Sequence, residues 1–170
     1  MIGDYTMYNN NRALGIFAFW ITVILGILLP IITFAIINML NDKTIGNILN
    51  DIVDVYFKDY TDIGFLFWFF QSLIFLILAF LVKSKIQISA DTTKSSIIEY
   101  SQAVGAWIFA VVFSIIMNID VLVSKSSTAV IAYIFIPFYE VIMILIGYLL
   151  GWIIGKIILW NRTTIKIYHR

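Results

Sequence analysis

Apolar residues in this chain do not alternate in short periods. They run in long blocks that charged residues fence off. A helix that crosses a membrane needs about 20 mostly apolar residues, at about 1.5 Å of rise each. Four blocks meet that length and predict spans over about 13–40, 63–82, 97–119 and 127–157. The first and last exceed the minimum, which predicts tilt. Pro30 and Pro137 fall inside them and predict bends.

The segment between the first two spans has a different pattern. Ile45, Ile48, Leu49, Ile52 and Tyr56 recur at helical spacing, with Asp42, Asn47, Asn50, Asp51, Asp54 and Asp59 between and around them. This predicts a short amphipathic helix lying on the membrane interface. Its acidic balance argues against attraction to anionic lipid, so its apolar side is expected to pack on its own bundle or on a partner. The other links are short. Lys83–Ser95 reads as a mildly basic loop, and Ser96 to Glu99 as a capping box that opens the third span. The tight link 118–128 makes the last two spans an antiparallel hairpin. The expected fold is all-α: a single four-span membrane domain over 1–170, a four-helix bundle with an amphipathic interfacial helix between spans one and two.

Composition strengthens the membrane reading. Hydrophobic residues make up 62% of the 170 residues and charged residues 12%, with a mean hydropathy of +0.99. A water-soluble core of this size would leave too little polar surface.

Placement of the basic residues orients the spans. One side would hold Arg12, Lys83, Lys85, Lys94, Lys156, Arg162, Lys166 and Arg170; the other would hold Lys43, Lys58 and Lys125. Both termini are therefore expected in the cytoplasm, with the first span an uncleaved anchor. Trp152 and Trp160, around Lys156, suit the cytoplasmic end of span four. Lys83, Lys85, Lys94, Arg162, Lys166 and Arg170 form a candidate basic face for anionic headgroups or an intracellular protein.

The most informative residues lie in span four. Gly147, Gly151 and Gly155 at spacing four form a flat ridge that lets another helix approach closely, within the chain or between copies. Glu140 is the one ionisable residue deep inside a span. On a helical wheel it falls within about 20° of Gly147 and Gly151, so it belongs to the packed face. Candidate polar partners are Gln71 in span two, and Ser114 and Asn118 in span three. Ser114 and Asn118 belong to a row at spacing four with Gln102, Ala106 and Ala110; span one carries Ala18, Thr22 and Gly26 at the same spacing. A protonated Glu140 bonded to Gln71, Ser114 or a tyrosine would join helices; a charged one would line a water path or hold an ion. Span two, bulky with Phe65, Phe67, Trp68, Phe69, Phe70 and Phe75, is expected to face lipid with one polar stripe at Gln71 and Ser72 turned inward, leaving spans one, three and four as the packed centre.

Several functions are excluded on chemistry. The chain has no cysteine and one histidine, His169. That removes thiolate chemistry and the usual ligands of haem, copper or zinc, so no metal or cofactor is expected. No aspartate lies inside a predicted span, as intramembrane aspartyl proteolysis would require. No histidine is placed to activate a serine. The expectation is a non-enzymatic protein without catalytic residues, nucleic-acid partner or evident small-molecule substrate. It would be an oligomeric subunit that anchors or senses for a larger membrane complex, in contact with lipids, further copies of itself or a protein partner. The alternatives are a homo-oligomeric pore with Glu140 near the path, and an immunity protein against a membrane-acting bacteriocin. In span number and loop sizes the layout resembles that of four-span colicin-immunity proteins. It is also similar in plan to small membrane subunits of bacterial phage-defence systems of the Kiwa type. These resemblances imply a bacterial inner-membrane setting.

Overall fold

The computed structural model describes the backbone over residues 2–58, 63–88, 95–123 and 129–168, with side chains over 13–58, 64–87, 97–120, 122–123 and 135–161. It is all-helical. Five helices follow in order: α1 (Ile2–Leu40), α2 (Ile45–Tyr56), α3 (Ile63–Ile88), α4 (Ser95–Val123) and α5 (Ala129–Tyr168). Four contain stretches long and apolar enough to cross a membrane: Ala13–Leu40, Gly64–Gln87, Ile97–Asp120 and Phe135–Asn161.

The long helices pack as two antiparallel pairs, α1 with α3 and α4 with α5, and the pairs meet chiefly through α3 and α4. Among the described residues α1 and α5 do not touch. In the first pair, Gly26 lets the Phe75 ring sit against α1, where a Cβ would overlap it. Phe75 then leads a core with Leu78, Val82, Ile86, Ala103, Ala106 and Ala110, flanked by Ala18.

Pro30 shapes this pair. Both proline-containing helices continue through the ring, but proline has no N–H for the carbonyl four residues back. For Pro30 that carbonyl belongs to Gly26, and it accepts from Ser72 Oγ on α3 at 3.3 Å. The next carbonyl, Ile27, accepts from Trp68 Nε1 at 2.9 Å. Tyr56 at the end of α2 reaches the Pro30 carbonyl at 3.5 Å.

α1 stops in a Schellman motif. Lys43 N–H donates to Asn38 O and Asp42 N–H to Met39 O, both at 3.1 Å, while Asp42 takes the left-handed conformation at φ 60°. The chain thereby turns into α2, which lays Ile48, Ile52 and Tyr56 against Phe34, Ile31, Trp68 and Leu122. Its neighbouring row, Ile45, Leu49, Val53 and Phe57, stays exposed. Lys43 pairs with Asp51 at 2.9 Å and Lys58 with Asp54 at 3.0 Å.

Two sequence expectations are corrected. The segment from Lys83 to Ile88 is not loop but the last turns of α3. Lys83 stands over the Phe19 ring at 5.4 Å, and Lys85 pairs with Glu99 of α4 at 2.5 Å. Long aliphatic stems let both lysines remain in an apolar helix. Second, the span carried by α3 is not the outermost of the four. Its most apolar stretch is 39% buried, the highest of the four, against 17% for that of α5. Phe75 packs inward because Gly26 and the small residues of α4 leave room for it, and Phe67 is buried too, while Phe69 and Phe70 stay exposed.

Candidate functional site

Glycine builds the α4–α5 contact that positions Glu140. A Cβ on Gly147 would lie 2.7 Å from Phe109 Cβ, one on Gly151 2.8 Å from Gln102 Cα, and one on Gly155 2.9 Å from Ile98 Cα. Gly105 returns the fit from α4, where a Cβ would lie 3.1 Å from Gly151 Cα. The ridge is thus occupied within the chain. The sequence reading missed Gly105 because it lies off the small-residue row of span three. Within that row Ala106 and Ala110 meet the Phe75 core, while Gln102 and Ser114 meet α5 at Gly151 and Glu140.

With the two backbones in contact, Glu140 is held between helices rather than beside lipid. Gln71, Ser114 and Glu140 are each 0% exposed, and the Glu140 carboxyl lies against Ser114 and Gln71. Three helices therefore contribute one polar group apiece. Gln71 Nε2 donates to Ser114 Oγ. Asn118, one turn on, donates to the Ser114 carbonyl at 2.7 Å and more distantly to its hydroxyl at 3.4 Å. Neither Glu140 oxygen, nor Gln71 Oε1, has a hydrogen-bond partner among the described residues. A charge this deep costs about 2.5–3.5 kcal/mol on insertion scales. None of the ion pairs among the described residues involves Glu140.

Two crevices open along the α1–α4 seam. One, of about 560 Å³, lies between Leu29–Asn41 and Ile115–Val123, the C-terminal halves of α1 and α4. The other, of about 230 Å³, is lined by Phe17, Thr22, Val82, Ile86, Tyr100 and Trp107. Gln71, Ser114 and Glu140 line neither.

The remaining candidates are placed separately. In span one, Ala18, Thr22 and Gly26 face α3, and Thr22 Oγ1 donates to the Ala18 carbonyl at 2.7 Å. Of the candidate basic face, Lys83 and Lys85 are half-buried at one end of the bundle. The Lys85 charge is taken by Glu99 and stands over the Tyr148 ring at 5.4 Å, so it is not a free member of that face. Glu99 thereby bridges α3 and α4; Ser96, its expected capping partner, has a side chain outside the described residues. Lys94 and Arg170 lie outside the described residues, and Arg162 and Lys166 are described only as backbone of α5. No group of acidic, histidine or cysteine side chains suited to a metal ion occurs among the described residues.

No family model matches the chain, nor does any curated protein or solved structure.

Proposed function

We propose that the chain is a non-enzymatic, single-domain membrane protein whose surfaces, rather than an internal reaction centre, carry its function. It serves as an anchoring or sensing subunit of a larger complex in a bacterial inner membrane, with both termini in the cytoplasm and α2 on the outer interface. One observation carries the reading: Glu140, the only ionisable residue deep in a span, is fully buried against Gln71 of α3 and Ser114 of α4 and lines neither crevice found among the described residues. Intramembrane chemistry is thus turned to holding helices together. The glycine ridge is also engaged internally. A partner therefore has to use other faces, such as the apolar outside of α5, where Leu145, Leu149 and Ile153 are exposed.

The test is the mass and composition of the particle extracted from native membranes in mild detergent. A second protein in fixed ratio is the expected result. A homo-oligomer without companions, together with membrane depolarisation on overexpression, would replace this reading with a pore. Protection of cells that express the chain alone against a membrane-acting bacteriocin would replace it with immunity.

A further inference from the structure

The Gln71–Ser114–Glu140 cluster has a donor deficit. Buried polar atoms are almost always paired, so each orphan needs an explanation. Here three acceptors are orphaned together: Gln71 Oε1 and both oxygens of Glu140. Gln71 Nε2 gives one of its two hydrogens to Ser114 Oγ, and Asn118 Nδ2 gives its own to the Ser114 carbonyl and hydroxyl. The Ser114 hydroxyl accepts from both and still has its own hydrogen to give. That hydrogen satisfies one Glu140 oxygen. The second Gln71 N–H can serve the other Glu140 oxygen, and Gln71 Oε1 is then the acceptor left without a donor unless the carboxyl carries a proton.

One added proton closes the count. A neutral Glu140 donates through its O–H to Gln71 Oε1, and its carbonyl oxygen accepts from Ser114. All three orphans are then used, and no charge remains at mid-membrane. We infer that Gln71, Ser114 and Glu140 form a proton-binding site, in which the protonated Glu140 carboxyl ties the α4–α5 hairpin to α3. A metal cation is the weaker occupant. The cluster offers four side-chain oxygens, fewer than hard cations commonly gather. No charged side chain competes for the proton among the described residues. α3 presents Gln71 and α4 presents Ser114 with Asn118, none of them titratable in the working range. The inference rests on Glu140 serving the bundle rather than a conduction path. It does not depend on whether a partner co-purifies, so the two can fail separately.

The chain has only two glutamates, Glu99 and Glu140, so labelling glutamate side-chain carboxyls with carbon-13 isolates the question. The full-length protein in lipid nanodiscs is followed by NMR across neutral pH, first in choline chloride and then in sodium chloride. The Glu140 signal is assigned by its loss in Glu140→Gln or, if that variant does not fold, by the signal that survives in Glu99→Gln. The expected result is a Glu140 carboxyl carbon at the protonated position at pH 7, indifferent to sodium. A Glu140 signal at the ionised position would overturn the site. So would one that moves when sodium replaces choline, which would make the occupant a metal cation. Stability supplies the second reading. Glu140→Gln retains an N–H to donate to Gln71 and should unfold at the wild-type denaturant midpoint, whereas Glu140→Leu should show a clear loss. Equal losses in both variants would overturn the hydrogen-bonded role.

Discussion

The two helix pairs solve the same packing problem by opposite means. α4 and α5 bring backbone to backbone, with Gly105, Gly147, Gly151 and Gly155 leaving no room for a Cβ. α1 and α3 bring ring to backbone. Phe75 sits on Gly26, Trp68 and Ser72 feed the carbonyls around Pro30, and Phe19 packs edge-on to Phe80 at 5.0 Å. Lipid tails are as apolar as leucine, so helices in a bilayer gain little by hiding apolar surface from water. Close contact and hydrogen bonds must hold them instead. The α4–α5 pair relies chiefly on close contact. The α1–α3 pair adds side-chain donors that repair a helix that proline interrupts.

The comparison breaks most readily at Gly151. Gly151→Leu should destabilise by about 3 kcal/mol or more, because a branched chain would press on the backbone at Ser101 and Gln102. Denaturant titration of the purified protein in micelles, read by helicity, should show it unfolded or unrecoverable. Phe75→Ala comes next. It empties a site that is 0% exposed and should cost about 3 kcal/mol, but the protein should still be recovered folded. A loss as severe as that of Gly151→Leu would show the two pairs to be equally brittle.

A double-mutant cycle sharpens the account of Pro30. Ser72→Ala removes the donor to the Gly26 carbonyl and should cost about 0.6–1.7 kcal/mol, the range of interhelical hydrogen bonds in membranes. In a Pro30→Ala background residue 30 has its own N–H for that carbonyl, and the same substitution should cost almost nothing. Equal costs in both backgrounds would refute the repair. The smallest effect is expected outside both pairs. A Cβ on Gly46 of α2 meets nothing within 4 Å, so Gly46→Ala should stabilise by about 0.5–1 kcal/mol. A loss there would reveal a contact that α2 makes beyond this chain.

These contrasts were unevenly legible in the sequence. Charges fence the apolar blocks, so the four long helices are written directly in hydropathy. The short helix before the second of them shows in the spacing of Ile48, Ile52 and Tyr56. Helix ends were harder. Lys83 and Lys85 look like a loop because charge usually marks the membrane edge, yet their stems extend α3. Aromatic content misled for a related reason. Phe75 reads as lipid-facing bulk unless one knows that Gly26 receives it, and a glycine on one helix does not name its ring on another. At the cluster, wheel geometry put Glu140 on the face of Gly147 and Gly151. Its contact with Gln71 depends on how the two pairs dock, which no single-helix pattern encodes.

The repair of Pro30 also sets an order for biosynthesis. The Gly26 carbonyl takes its donor from a serine 46 residues downstream. At ordinary elongation rates that delay is roughly 2–10 s. Until Ser72 is made, only water can serve that carbonyl, and the bilayer interior offers none. The first helix is therefore best kept at the hydrated mouth of the insertion machinery until the third emerges, and the two should enter the lipid together as a preassembled couple.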